Sequence, residues 1–283
     1  MFKQIGLGSG GAKGLLIIGA LLELSKHQPL EFPDGIYGSS IGSLIATFIA
    51  FGFDLTKHLP LIIKQFENFS MLERPTISEI TSVFYRKGIY SMDTVEKKIV
   101  DFFKELDIDI KTKKISDAKM PLRIIASNIT KGIPTIFSGD VMILDAIKCS
   151  CCVPGVFKPQ ELYGQVYIDG GWLVPCLSIL IPNALVLSLP AVRNNIITPK
   201  NISQIETMSF LRDLYSMAIN RFAKLEKGEY ALELNYKNLF SNADITKFDL
   251  NDIFEHGGKL LRDFLISKGF IQELSEVGNS GLS

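Results

Sequence analysis

Strand-length apolar runs alternate with helical patterns from the second residue onward, which predicts an α/β fold. The expected architecture is a three-layer α/β/α sandwich around a mainly parallel, buried central sheet, with a helical C-terminal third. Two further observations point the same way. Two glycine-rich turns each follow a short apolar run and precede a helix, as at the carboxyl edge of an open parallel sheet. Of the 283 residues, 47% are hydrophobic and 21% charged, enough apolar side chain for a sizeable core.

Residues 2–7 read as the first strand, followed by a glycine turn and a helix over about 13–26 that Gln28-Pro29 breaks. Pro33-Asp34-Gly35 signals a turn before a strand ending at Ile36-Tyr37. The stretch from Leu44 to Ala50 is almost wholly apolar, and a helix without a polar face is buried inside the protein. Residues 55–69 look helical, and the polar stretch 71–92 reads as a loop or cap that could gate access to a site. A helix resumes over 93–106, where Val95, Ile99, Phe102, Phe103 and Leu106 share a face. Strands are expected at 122–127, 135–137, 166–168 and 184–189, with a short helix at 144–152. Beyond Ile202, one amphipathic face runs through Ile205, Met208, Leu211, Tyr215 and Ile219. Another runs through Ile253, Phe254, Leu260, Leu261, Phe264 and Leu265. With no internal repeat or low-complexity linker, residues 1–283 are expected to form one domain. Its motif-bearing core covers about 2–190 and its helical region about 200–275.

Thirty basic residues balance thirty acidic ones, so the chain carries no electrostatic footprint for nucleic acid. Cys149, Cys151, Cys152 and Cys176 match no zinc spacing and read as buried thiols, so no metal is expected and no cofactor. Unpaired cysteines and the lack of a leader-like segment suggest an intracellular setting, in which any membrane contact would be peripheral. The apolar stretches 15–24, 41–53 and 178–192 are too short or too interrupted by proline to span a bilayer.

Gly38-Ser39-Ser40-Ile41-Gly42 reads G-x-S-x-G, the pattern that mounts a nucleophilic serine on a sharp strand-to-helix turn. Gly38 and Gly42 would lack a Cβ because the flanking strand and helix approach too closely. The helix that starts after Ser40 offers free N–H groups and a positive dipole end to a developing oxyanion. The other turn spans Gly6, Gly8, Ser9, Gly10, Gly11, Ala12, Lys13 and Gly14. It satisfies G-x-G-x-x-G, but the second strand ends in Gly38-Ser39-Ser40 and not in the acidic residue a dinucleotide site wants. A Walker loop fails because Gly14 follows Lys13. An oxyanion hole fits better, since Gly10 and Gly11 expose successive backbone N–H groups beside the strand that carries Ser40.

A serine nucleophile needs a base. Of the three histidines, His27 and His58 read as helix-end residues. His256 has the chain order of a Ser-Asp-His triad but also suits a solvent-facing helix position. Asp169 ends an apolar strand and precedes Gly170-Gly171, a place where open α/β sheets carry functional groups and where a simple Asp-Gly turn would also fit.

Taken in order, these residues resemble the patatin-like phospholipase family over about 2–175. Residues 8–14 are similar to its oxyanion motif G-G-G-x-[RK]-G, and residues 38–42 to its nucleophile elbow. Residues 150–159 resemble its A-S-x-x-x-P-x-x-F-x-P segment, and Asp169-Gly170-Gly171 its D-G-[GA] motif. The resemblance implies a Ser40–Asp169 dyad without histidine that cleaves fatty-acyl esters of lipids at a membrane or micelle surface through an acyl-enzyme. It places the oxyanion on the N–H groups of Gly10 and Gly11, with Ile41 N–H a further donor by elbow geometry. Lys13 would lie near that turn, where it could favour the anion or a lipid phosphate. Ser9 stands where the motif has its first glycine, Val174 precedes the proline where the family often has asparagine, and Cys151 and Cys152 replace small residues. Two other readings stand beside this one: a catalytically silent lipid-binding protein on the same fold, and a Ser40-Asp169-His256 esterase.

Overall fold

The computed structural model describes residues 1–70, 85–191, 197–205, 228–237 and 245–272, with Phe210, Asp213, Leu214, Ser216, Met217 and Leu239. Its main sheet is built on β1 (Gln4–Leu7), β2 (Gly35–Ser39), β4 (Leu122–Asn128), β9 (Leu185–Ser188) and β10 (Ala231–Glu233), all parallel in the order β10-β9-β1-β2-β4. Three antiparallel strands extend it: β5 (Ile133–Phe137) and β8 (Gln165–Ile168) on β4, and β7 (Gln160–Leu162) on β8. A separate pair joins β3 (Gly88–Tyr90) to β6 (Gly155–Phe157). The helices are α1 (Gly14–Leu24), α2 (Ile41–Ala50), α3 (Leu59–Ser70), α4 (Asp93–Lys104), α5 (Ile143–Cys151) and α6 (Leu250–Ser267).

Strand side chains alternate between two buried faces, as a sheet covered on both sides requires. Ile5, Leu7, Ile36, Ile124, Ala126, Leu185 and Leu187 point into the larger core with the apolar faces of α1, α2, α4, α5 and α6. Ile125 and Val186 point the other way and pack under Val174, Cys176, Leu177 and Ile181. The three layers expected from the sequence are therefore present.

Helices α1 and α6 cross at near backbone contact. A Cβ on Gly19 would fall 2.3 Å from the Phe254 carbonyl oxygen, and one on Gly257 2.4 Å from that of Leu16. Beside this crossing Arg262 forks onto the nearly buried Glu23 at 2.7 and 2.9 Å. Burial alone would raise the Glu23 carboxyl, but Arg262, Lys26 and His27 outweigh it and hold it at about 2.

The C-terminal third departs from an all-helical reading, because β10 leaves it to join the parallel sheet beside β9. Strands β3, β6 and β7 were also not expected; at three residues each, they are too short to show an alternating pattern. Most of the proposed cap, 71–84, and most of the helical face through Met208, Leu211, Tyr215 and Ile219 lie outside the described residues.

The pairing of β4 decides where the site forms. At Ile124 and Ile125 it pairs both β2 and β5, and at Ser127 and Asn128 both β5 and β8. A strand has two edges, so β2 and β8 must share the edge opposite β5. Strand β2 runs up that edge to Ser39, opposite Ile125; β8 runs down it to Ile168, opposite Ser127. Their carboxyl ends meet head to head across Ala126.

Candidate active site

Ser40 follows β2 and Asp169 follows β8, so the junction brings these two side chains together. Ser40 adopts φ 53 and ψ −126 between strand and helix, a sparsely populated backbone state for a side-chain-bearing residue. Close packing explains the flanking glycines. A Cβ on Gly38 would sit 2.5 Å from the Gly42 carbonyl oxygen, and one on Gly42 2.0 Å from that of Leu7. Ser43 ties the turn further by donating its hydroxyl to the Ser40 carbonyl at 2.6 Å.

Asp169 is buried and caps a short 3₁₀ turn through a 2.9 Å bond from Gly171 N–H to its Oδ1. Its Oδ2 is buried with no partner in hydrogen-bond geometry. Burial pushes this carboxyl up to about 6; the Ser40 hydroxyl, the Gly171 N–H and the Ser9 hydroxyl face it and oppose the rise. Ser127 fixes the backbone from behind, donating its hydroxyl to the Asp169 carbonyl at 2.9 Å, and Asp169 N–H donates to the Cys152 carbonyl at 3.0 Å. Gly170 allows this approach, since a Cβ there would meet the Ile125 carbonyl oxygen at 2.3 Å.

The other glycine turn lies beside the junction. Gly11 has φ 56, and a Cβ on Gly10 would strike Leu189 at 2.6 Å. Among the described residues, none accepts a hydrogen bond from the backbone N–H of Gly10, Gly11 or Ile41. Lys13 is buried, and its ammonium donates to the carbonyls of Leu189 and Pro190, tying this turn to the end of β9. Desolvation lowers it to about 8.

The histidines are engaged elsewhere. His256 lies on α6 with Nε2 2.7 Å from the Asn235 carbonyl and its ring edge-on to Tyr236. His27 approaches Glu23 at 3.2 Å, and His58 Nδ1 lies 2.7 Å from the Asp54 carbonyl. Cys149, Cys152 and Cys176 are buried free thiols, with Cys151 partly exposed. Burial pushes Cys149 up to about 12 and raises Cys151 and Cys152 as well, which suits neutral packing groups. No cluster of three metal-ligating side chains occurs among the described residues.

Two serines in the motif segments make contacts that the sequence reading did not anticipate. Ser150 accepts the Ser40 backbone N–H, and Ser9 shares a 2.7 Å hydrogen bond with Ser39. Ser150 stood in a quoted motif, but its partner could be named only once α5 was placed against the elbow.

Ile41, the residue after Ser40, lines a small apolar cavity of about 50 Å³ together with Leu44, Ile45, Phe48, Ile62, Phe66 and Phe102. A broader hollow of about 470 Å³ includes Lys119, Leu122 and Arg123 at the amino end of β4, the opposite end from Ser40. No helix among the described residues is long and apolar enough to cross a membrane.

The family model described as patatin-like phospholipase matches residues 6–180. The chain belongs to the patatin-like phospholipase family. This patatin-like chain is 28% identical over 185 residues to the uncharacterized protein YqhO of Bacillus subtilis, covering 58% of this chain and 61% of that one. It is 26% identical over 188 residues to the probable lipid hydrolase 463L of Invertebrate iridescent virus 6, covering 60% of each. The matched stretch thus spans about 60% of the length of these relatives. Among solved structures, the fold resembles VipD from Legionella pneumophila, with a TM-score of 0.55 and 15% identity over 94% of this chain and 67% of that one.

Proposed function

We propose that this chain is a serine hydrolase of fatty-acyl lipid esters, with Ser40 as nucleophile and Asp169 as its base. The observation that carries the reading is the head-to-head meeting of β2 and β8 on one edge of β4, which sets a strained serine beside a buried carboxylate. The carboxylate accepts the Ser40 proton as Oγ attacks the ester carbonyl. The N–H groups of Gly10, Gly11 and Ile41 receive the oxyanion of the tetrahedral intermediate. Asp169 returns the Ser40 proton to the departing alkoxide, which leaves as the alcohol. Asp169 then takes a proton from water as the water attacks the acyl-enzyme, and gives it to Ser40 Oγ as the fatty acid departs.

The small apolar cavity that Ile41 lines, next in sequence to Ser40, supports a substrate with an apolar acyl group, as a lipid at a membrane or micelle surface presents. Family membership and the printed name of the viral relative support the same class. No metal or other cofactor enters the proposed steps. Lys13 holds the oxyanion turn through the Leu189 and Pro190 carbonyls, which supports a structural role there better than contact with a headgroup. The bond from His256 to Asn235 supports the dyad over a triad. The core shared by α6 and the sheet supports a single domain over 1–283.

Fluorophosphonate labelling with peptide mass spectrometry tests this. One adduct on Ser40 is expected, absent in Ser40→Ala and Asp169→Asn and kept in His256→Ala, together with release of fatty acid from phospholipid vesicles. A folded, unlabelled parent chain would overturn the reading and leave a silent lipid-binding protein.

A further inference from the structure

Asp169 is buried, yet among the described residues no cation faces it. Its charge depends on neutral donors: the Gly171 N–H, the Ser40 hydroxyl and the Ser9 hydroxyl. The Ser40 proton is the one that reaction removes, so it cannot hold the carboxylate throughout a catalytic cycle. We propose that Ser9, braced by Ser39, is a positioning residue that donates its hydroxyl to Asp169 and keeps the carboxylate charged and aimed at Ser40. The inference rests on the roles given to Ser40 and Asp169 above.

The geometry is specific. Gly171 packs against Ser9: a Cβ there would lie 2.6 Å from Ser9 Oγ and 3.2 Å from Asp169 Oδ1, so both oxygens flank one point. Ser9 Oγ and Ser39 Oγ are 2.7 Å apart, and Ser39 is fully buried. A hydroxyl has one proton and two lone pairs. If Ser39 donates to Ser9, the Ser9 proton is left for the carboxylate. The opposite direction would turn oxygen lone pairs toward a buried carboxylate whose Oδ2 has no partner in hydrogen-bond geometry. The sequence Ser39 to Ser9 to Asp169 is therefore the favoured order. The titratable groups facing Asp169 from the α5 side are the thiols of Cys151 and Cys152, both raised chiefly by burial and so neutral across the range that matters.

Removing a donor to a charged carboxylate raises its pKa. The test is the pH profile of Ser40 labelling and of kcat/KM on a short-chain ester, from pH 5 to 9, in Ser9→Ala and Ser9→Gly. The acid limb is expected to move up by about one pH unit, which costs about fivefold at pH 6 and little at pH 9. Ser39→Ala should move it the same way by less. Asp169 is also titrated directly, by carboxyl ¹³C shift in the inactive Ser40→Ala chain with and without Ser9→Ala. An unmoved Asp169 midpoint, or an equal loss of rate at every pH, would overturn the role of Ser9. An unlabelled parent chain with a Ser9-dependent Asp169 midpoint would instead sink the hydrolase reading and leave the Ser9 contact standing.

Discussion

Ser150 Oγ accepts the backbone N–H of Ser40 at 2.8 Å and donates its own proton to the Ile125 carbonyl at 2.6 Å. One hydroxyl from α5 thus fastens the Ser40 turn after β2 to the strand beside it. The strained Ser40 backbone needs such a brace, because a residue held in that region relaxes unless its surroundings over-determine it.

Ser150→Ala removes both bonds and leaves a buried N–H and a buried carbonyl without this partner. Urea unfolding should show a loss of roughly 1–3 kcal/mol. Fluorophosphonate labelling of Ser40 should slow as well, since the turn loses its tie. Full labelling speed in a destabilised variant would show that the brace serves folding alone.

Gly42→Ala should be among the most damaging single changes in the chain. Its Cβ would fall 2.0 Å from the Leu7 carbonyl oxygen, a backbone atom that cannot swing away. A loss above about 4 kcal/mol, or failure to fold, is expected. Gly132→Ala is the control: φ is +70 but nothing lies within 4 Å, so only the left-handed backbone is penalised, by about 1–2 kcal/mol. Thermal melts of the two variants separate clash from conformation.

Asp169 is held at about 6 against an ordinary 3.8, so the folded chain binds this proton more tightly than the unfolded one. Its contribution to stability is greatest below pH 4 and falls as pH rises through 6. Asp169→Asn should therefore exceed the parent in stability at pH 8, by on the order of 3 kcal/mol, with the gap closing by pH 4. Activity runs the other way under the proposed role of Asp169: a base must be charged, so turnover should fall as pH drops below about 6. Denaturant midpoints at pH 4, 6 and 8 check the first claim, and an ester pH–rate profile checks the second.

Leu44 lines the apolar cavity one helical turn beyond Ser40. Leu44→Trp should fill it and penalise long acyl chains more than short ones. The ratio of kcat/KM for decanoyl over butyryl esters should fall by roughly tenfold. An unchanged ratio would move the acyl site elsewhere.

Much of this site was legible in the chain because its requirements are local. Gly38 marks a turn that its own next residues nearly touch, although the press on Gly42 comes from Leu7 of the neighbouring strand, and Gly10-Gly11 marks a helix start with open N–H groups. Lys13 was harder to read, because its burial depends on β9, which follows far along the chain. Strand β10 was lost in a helical region because three residues carry too little pattern, and its place was settled by the open edge of β9. The Gly257-Gly258 pair marks where α6 presses on α1, a use of glycine that the reading of His256 did not bring out.

By itself, the sequence determined the layered α/β class, the serine elbow, the second glycine turn and an aspartate at a strand end, since apolar periodicity and turn sterics act between near neighbours. Only the tertiary structure decided that Asp169 meets Ser40. That meeting depends on β8 running antiparallel to β4 at Ser127 and Asn128, on the edge that β2 leaves vacant there. Tertiary packing likewise decided that Ser9, Ser39 and Ser150 face the junction and that His256 turns to Asn235. Hydrogen bonds between distant segments exist only after the strands have chosen their neighbours, and no local pattern encodes that choice.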